Sequence, residues 1–219
     1  MATPTTWLDK DNKMIDNSGI KIIEQGDKTY KIEVTNDEFT ENPLESDDYL
    51  GEIWGLSNKH SNFLAKNKII LPEGSELPDS YEECVALVRK QYPDAVALSY
   101  SEHGNCMWTT SQLQSDFDSV KHAGFWLPND NILDDLKELT GTKRTLAMLE
   151  RAKQACEAYT AWCNGDVYAV HIYELKTCNL GEQHEESIDS CGGFYDYDEA
   201  MQSGIETVAG YAPFNKATQ

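Results

Sequence analysis

Histidine and cysteine are the residues here best suited to nucleophilic or metal chemistry, and their spacing serves neither. A zinc site needs ligand pairs a few residues apart. His103-x-x-Cys106 offers one pair, Cys178, His184 and Cys191 are loosely spaced, and no Cys-x-x-Cys exists. No metal and no cofactor are therefore expected. A cysteine nucleophile needs a histidine base beside it in space, so His103, Cys106 and His171 would have to converge in one pocket. His171 instead lies in a strand pattern and reads as a satisfied sheet histidine. Cys84, Cys106, Cys156, Cys163, Cys178 and Cys191 fall in apolar surroundings and read as small hydrophobes. No phosphate-cradling glycine loop, Gly-x-Ser-x-Gly or His-Glu-x-x-His motif occurs, and no catalytic residue is assigned.

Carboxylates dominate the charge. Asp and Glu total 38 against 18 Lys and Arg, a formal −20. Such a field repels DNA, RNA and anionic membranes, so direct nucleic-acid binding is not expected. Two segments concentrate it. Ile32–Asn58 has eight acids and no Lys, Arg or His, and Thr177–Asn215 has no Lys or Arg. Within the first, Glu45-x-Asp47-Asp48 lacks the glycine and spacing of a calcium loop and reads as a solvated acidic loop. The candidate partner-binding residues are Asp37, Glu38, Glu41, Glu45, Asp47 and Asp48 in the first segment. In the second they are Glu182, Glu185, Glu186, Asp189, Asp196 and Asp198. If both segments lie on one side of the fold, they form an extended negative face. The competing account is solubility alone.

The elements that must position these groups are legible in part. Met148, Leu149, Ala152, Ala155, Cys156, Tyr159, Trp162 and Cys163 recur at helical spacing, so a long amphipathic helix is expected from near Thr145 to Asn164-Gly165. Residues 166–175 are rich in β-branched and aromatic types, and both faces are mostly apolar, which predicts a central strand covered on both sides. Tyr159 and Trp162 are expected to be largely buried, with Val170 and Ile172 beneath them. Ile188–Tyr195 reads as the neighbouring antiparallel strand, with Gly192-Gly193 marking a bulge or a close approach. Asp196 with Glu199 resembles a capping box opening a last helix.

Earlier in the chain, Ile20–Glu24 and Tyr30–Val34 flank a Gln-Gly-Asp turn and predict a hairpin. Asn42-Pro43 marks loop rather than helix. A short strand is expected near Gly51–Leu56, with a turn at Ser57–His60. Asp79 or Ser80 should cap a helix to about Gln91 whose inward side is Cys84, Val85, Leu87 and Val88. Ala95–Tyr100 and Asn105–Thr109 predict a second hairpin, Gly124–Leu127 a strand, and Asn129 the cap of a short helix carrying Ile132, Leu133, Leu136 and Leu139 inward. The class is α+β, a largely antiparallel sheet with three to four amphipathic helices packed on it.

A chain of 219 residues buries a large core without staples. Residues 1–18 read as a mobile leader and 19–219 as a single α+β domain with an acidic loop at about 35–50. The start lacks the basic and apolar regions of a signal peptide, no run of 18 apolar residues exists to span a membrane as a helix, and reduced thiols are expected.

Gly165-Asp166-Val167-Tyr168 and Asp189-Ser190-Cys191-x-Gly193-Phe194-Tyr195 resemble the motifs of a functionally uncharacterised family of small accessory proteins from bacteriophages and mobile elements. Asn42-Pro43 before Asp48-Tyr49-Leu50-Gly51, then His60-Ser61-Asn62-Phe63, then Tyr100–Thr110 around His103-Gly104 follow in the same order, so the likeness spans roughly residues 33–200. The family usually carries Trp where this chain has Gly192, and basic residues where it has Ser57-Asn58. The resemblance implies a phage or mobile-element origin and assigns no reaction. With the charge, it leads to the expectation of a phage-encoded acidic inhibitor. Such a protein would bind a host nucleic-acid enzyme or defence protein at its basic groove, acting in part as a DNA mimic in the host cytoplasm. Duplex DNA carries one charge per roughly 1.7 Å of axis, so the net charge matches on the order of one helical turn. The alternatives are a small enzyme with a His/Cys pocket and a phage structural or assembly protein.

Overall fold

The computed structural model describes residues 7–8, 14–15, 19–55, 81–114 and 117–211. They form an α+β protein with two antiparallel sheets, divided between two compact units. One unit comprises residues 1–40 and 165–219, the other 41–164. The chain thus leaves the first unit after one hairpin and returns to it only at Gly165. The sequence alone predicts a single α+β domain over 19–219.

The first unit is a six-stranded sheet in the order β1-β2-β3-β4-β9-β10, crossed on one face by helix α5 (Tyr197–Gly210). Strands β1 (Trp7–Leu8) and β2 (Met14–Ile15) come from the expected leader, where they pair with each other and β2 pairs with β3. The rest of the leader lies outside the described residues. The expected hairpin is β3 (Ile20–Gln25) and β4 (Lys28–Asn36) around Gly26-Asp27. Gly26 supplies the positive φ of 68° that the tight turn requires. The long return strand β9 (Tyr168–Thr177) pairs β4 on one side and β10 (Gln183–Phe194) on the other.

The core of this unit is a single layer. Tyr30, Ile32 and Val34 of β4 and Val170 and Ile172 of β9 share one face and meet Ala200 and Val208 of α5. Gly204 lets α5 approach closely: a Cβ there would lie 2.7 Å from methyl groups of Ile32 and Val170. Asp196 caps the helix as expected, its Oδ1 accepting from Glu199 N at 2.8 Å. The opposite face carries Lys31, Glu33 and Thr35 beside His171 and Tyr173, and none of these is buried. This corrects the expected burial of both faces. The apolar look of 166–175 comes from aromatic and aliphatic residues that alternate with the true core positions.

The second unit holds a four-stranded sheet in the order β5-β8-β6-β7: β5 (Glu52–Gly55), β6 (Val96–His103), β7 (Asn105–Thr109) and β8 (Ser119–Leu127). Both faces are covered. The long helix α4 (Gly141–Asn164) packs Met148, Ala152, Ala155, Cys156 and Tyr159 against Leu98, Tyr100, Trp108 and Trp126. On the other face Val88 of α2 (Tyr81–Gln91) meets Ala95, Phe125 and Leu127. The consecutive buried run Phe125-Trp126-Leu127 records this two-sided cover. The short helix α3 (Asp130–Asp135) is capped by Asn129 as expected and buries Ile132 and Leu136.

Two local expectations change. Pro43 does not exclude a helix; it sits at the first position of the one-turn α1 (Pro43–Ser46), where its missing N–H is no loss, and Asn42 caps it. Tyr159 is buried and Trp162 half-buried, stacked on it at 5.9 Å, but Val170 and Ile172 are not beneath them. Those two residues lie in the other core, under α5. Gly165, at φ 74°, ends α4 and carries the chain across the boundary between the units. The turn at 57–60, the cap at 79–80, the side chain of Cys84 and the His60–Phe63 motif lie outside the described residues. Among the described residues no helix is long and apolar enough to cross a membrane.

Candidate functional site

The acidic segment 32–58 is divided by the boundary between the units. Asp37 and Glu38 belong with Glu182, Glu185, Glu186, Asp189, Asp196 and Asp198 in the first unit, and Glu41, Glu45, Asp47 and Asp48 in the second. In the first unit the acids gather on β10 and the start of α5. Strand β10 ends the sheet and is exposed at every position but Phe194.

Each carboxylate has a local assignment. Glu185 pairs with Lys31 at 3.1 Å and Glu186 pairs with Lys176, so these two are neutralised. Asp189 accepts from Tyr211 Oη at 3.0 Å, Asp196 caps α5, and Asp47 accepts from Tyr49 N at 2.7 Å. These donors are neutral, so none of the three is ion-paired through them. The side chains of Glu38, Glu41, Glu45, Asp48, Glu182 and Asp198 are exposed and make no ion pair among the described residues.

Asp37 is a structural carboxylate. Asp37 N donates to Val167 O at 2.8 Å, and Asn36 Nδ2 donates to Gly165 O at 2.6 Å, which ties the end of β4 to the start of β9. Asp37 Oδ2 accepts from Gly193 N at 3.1 Å and Oδ1 from Phe39 N at 3.2 Å. Partial burial pushes this carboxyl up, but hydrogen bonds from Thr40, Phe39 N and Gly193 N, with the nearby His171, outweigh it and hold it below the usual carboxylate range. A side chain at Gly192 would strike Asp37, and β10 has its second register shift there, between Cys191 and Phe194. The expected bulge is thus present, and the close approach is made not by another backbone but by the side chain of Asp37, which follows β4. The Gly165–Tyr168 and Asp189–Tyr195 motifs meet at this corner.

Among the described residues, the candidate histidines and cysteines are divided between the two units. His103 stands exposed at the β6–β7 turn, 3.2 Å from Asp118. His171 belongs to the other unit, where its Nε2 is 3.3 Å from Thr35 Oγ1. His184 and Cys191 lie seven residues apart on one strand, roughly 20 Å. Among the described residues no group of three or more His, Cys, Asp or Glu could hold a metal ion.

A polar cluster that sequence reasoning missed lies inside the second unit. Cys163 of α4 packs against the core that contains Cys106 of β7, with Tyr100, Glu102 and Tyr159 around the two thiols. Tyr100 Oη donates to Glu102 Oε2 at 2.7 Å. The interaction with Cys163, opposed by burial, pulls the Cys106 thiol below its ordinary value, while that same interaction and burial push Cys163 far up. Burial pushes Cys156, which has no such partner, up to about 12. Asn164 clamps the pair's elements together: its Oδ1 accepts from Cys106 N at 2.8 Å and its Nδ2 donates to Cys106 O at 3.0 Å. The helical stripe already turned Cys163 inward; its meeting with a residue 57 positions earlier needed the fold.

The second unit also has an open cleft of about 330 Å³ lined by Arg89, Asp94, Val96, Thr145, Met148 and Leu149. Arg144 holds Asp94 there through two hydrogen bonds of 3.0 and 2.7 Å. Compared with known protein families, curated proteins and solved structures, the chain matches none.

Proposed function

We propose that this chain is an acidic, protein-binding inhibitor of phage or mobile-element origin. It occupies the basic nucleic-acid groove of a host enzyme or defence protein in the host cytoplasm and acts in part as a DNA mimic. The observation that carries this reading is the state of the twelve candidate carboxylates. Only Glu185 and Glu186 are ion-paired; the other ten have no Lys or Arg partner among the described residues. In the first unit Asp189 sits on the exposed strand β10, Glu182 just before it and Asp196 and Asp198 at the helix start that follows, in a stretch without Lys or Arg, while Asp37 and Glu38 follow β4. A basic groove presents the complementary pattern, and such complementarity speeds encounter and weakens as salt rises.

The test is competition. A host nuclease or repressor captured by the protein should release bound duplex DNA when the protein is added, less so at high salt. Reversing Glu38, Glu41, Glu45 and Asp48 to Lys should abolish the displacement while circular dichroism and melting stay unchanged. Asp37 is left intact because it anchors Gly193. Undiminished displacement by the reversed variant would overturn the reading.

A further inference from the structure

We propose that Cys106 and Cys163 are a reversible dithiol site, oxidised by a hydroperoxide to an intramolecular disulfide that fastens the last turn of α4 to β7. Cys163 packs against the core cluster that contains Cys106, and both thiols are free. The elements that carry them are held in place independently of the sulfurs. Asn164, next to Cys163, binds both backbone groups of Cys106, and Thr160 Oγ1 accepts from Trp108 N at 3.0 Å. Disulfide formation needs two Cβ groups close together without backbone movement, and the clamp holds the residue beside Cys163 on the backbone of Cys106.

The chemistry divides between the partners. Cys106 is the better thiolate, because its interaction with Cys163 lowers its own thiol and raises that of Cys163. Its sulfur attacks one oxygen of the hydroperoxide, the O–O bond breaks, and hydroxide or alkoxide leaves, giving a sulfenic acid on Cys106. Cys163 then attacks that sulfur; its proton joins the departing hydroxyl as water, and the S–S bond forms. Overall two thiols lose two electrons and the hydroperoxide gains them. Cys106 is buried and Cys163 only partly so, and a small hydroperoxide would reach the pair from the side of Cys163. Cys156 sits on the same helix, but its thiol is raised by burial and has no sulfur partner, so it should stay reduced.

The experiment uses the full chain with Cys178 and Cys191 replaced by Ser, which removes the exposed turn and strand thiols. One to two equivalents of hydrogen peroxide should consume two thiols, and peptide mapping should recover the Cys106–Cys163 crosslink. Closing a loop of this length should raise the melting temperature by about 5 °C or more, and dithiothreitol should reverse the shift. Cys163→Ser should halt at a dimedone-reactive sulfenic acid on Cys106 with no shift in melting. Cys163→Ala, which keeps the small apolar volume, serves if the serine variant fails to fold. A crosslink through any other cysteine, or full alkylation of both Cys106 and Cys163 after peroxide treatment, overturns the proposal.

Discussion

The two sheets end in strands that are protected in opposite ways. β7, at the end of the second unit's sheet, has its outward backbone groups taken up by the helix packed against it. Cys106 N and O bond to the Asn164 carboxamide and Trp108 N to the Thr160 hydroxyl. β10, at the end of the first unit's sheet, is left in solvent and carries Glu182 at its approach and Glu185, Glu186 and Asp189 along its length. It also has two register shifts, at Ser187/Asp189 and Cys191/Phe194. Charge and bulges are the usual means of stopping an open strand from pairing with another chain. An edge can therefore be closed by specific hydrogen bonds or kept open and made repulsive. Only the open kind remains available to a partner of opposite charge.

The largest effect should come from uncapping β7. Asn164→Ala leaves a partly buried N–H and C=O without partners and should cost about 2–4 kcal/mol in urea unfolding. Asn164→Asp keeps the acceptor and loses the donor, so its cost should be smaller. Equal stability of Asn164→Ala and the parent would mean that the closed edge does not depend on the clamp. On the other side of the comparison, the first unit depends on the close approach of α5 beneath its open sheet. Gly204→Ala pushes a methyl against Ile32 and Val170 and should cost about 1–3 kcal/mol, with loss of near-ultraviolet dichroism before loss of helix.

A pH titration separates the two edges more finely. The folded Asp37 carboxyl lies below its ordinary value, so the stability it contributes is complete above the unfolded pKa of about 4. That stability is lost as pH falls through the folded value. The melting temperature of the parent should therefore drop more steeply than that of Asp37→Asn between about pH 5 and pH 2. Parallel curves would remove Asp37 as the tie between β4 and β10. The smallest stability change belongs to the open edge itself. Glu185→Thr with Glu186→Thr breaks two exposed ion pairs and should leave melting nearly unchanged. Light scattering should nevertheless show self-association, because the repulsive edge has become a pairing edge.

The candidate site was legible as composition and illegible as geometry. Eight of the acids in Ile32–Asn58 and the basic-free stretch Thr177–Asn215 stand out in the sequence, yet the first run straddles two units. Spacing could not show that Glu185 and Glu186 are neutralised by Lys31 and Lys176, or that Asp37 faces inward to Gly193. Those partners come from strand pairing between distant segments.

Short-range signals were sufficient for the α+β class, the hairpin at Gly26, the caps at Asn129 and Asp196, the glycine stop at Gly165 and the exposed charge. Each depends on a few neighbouring residues, through periodicity, a side-chain cap or a positive φ. Tertiary structure alone decided the rest. Ile32 lies opposite Ile172, 140 residues away, and that pairing assigns β9 to the first unit although α4, immediately before it, belongs to the second. It covers Val170 and Ile172 with α5 instead of Tyr159 and Trp162, and it places Asp37 against Gly192. In the second unit, packing of α4 on β7 brings Cys163 to Cys106. Apolar periodicity states which face of an element is buried. Which other face it meets is settled by shape and hydrogen bonding across the whole chain, and no local pattern encodes that.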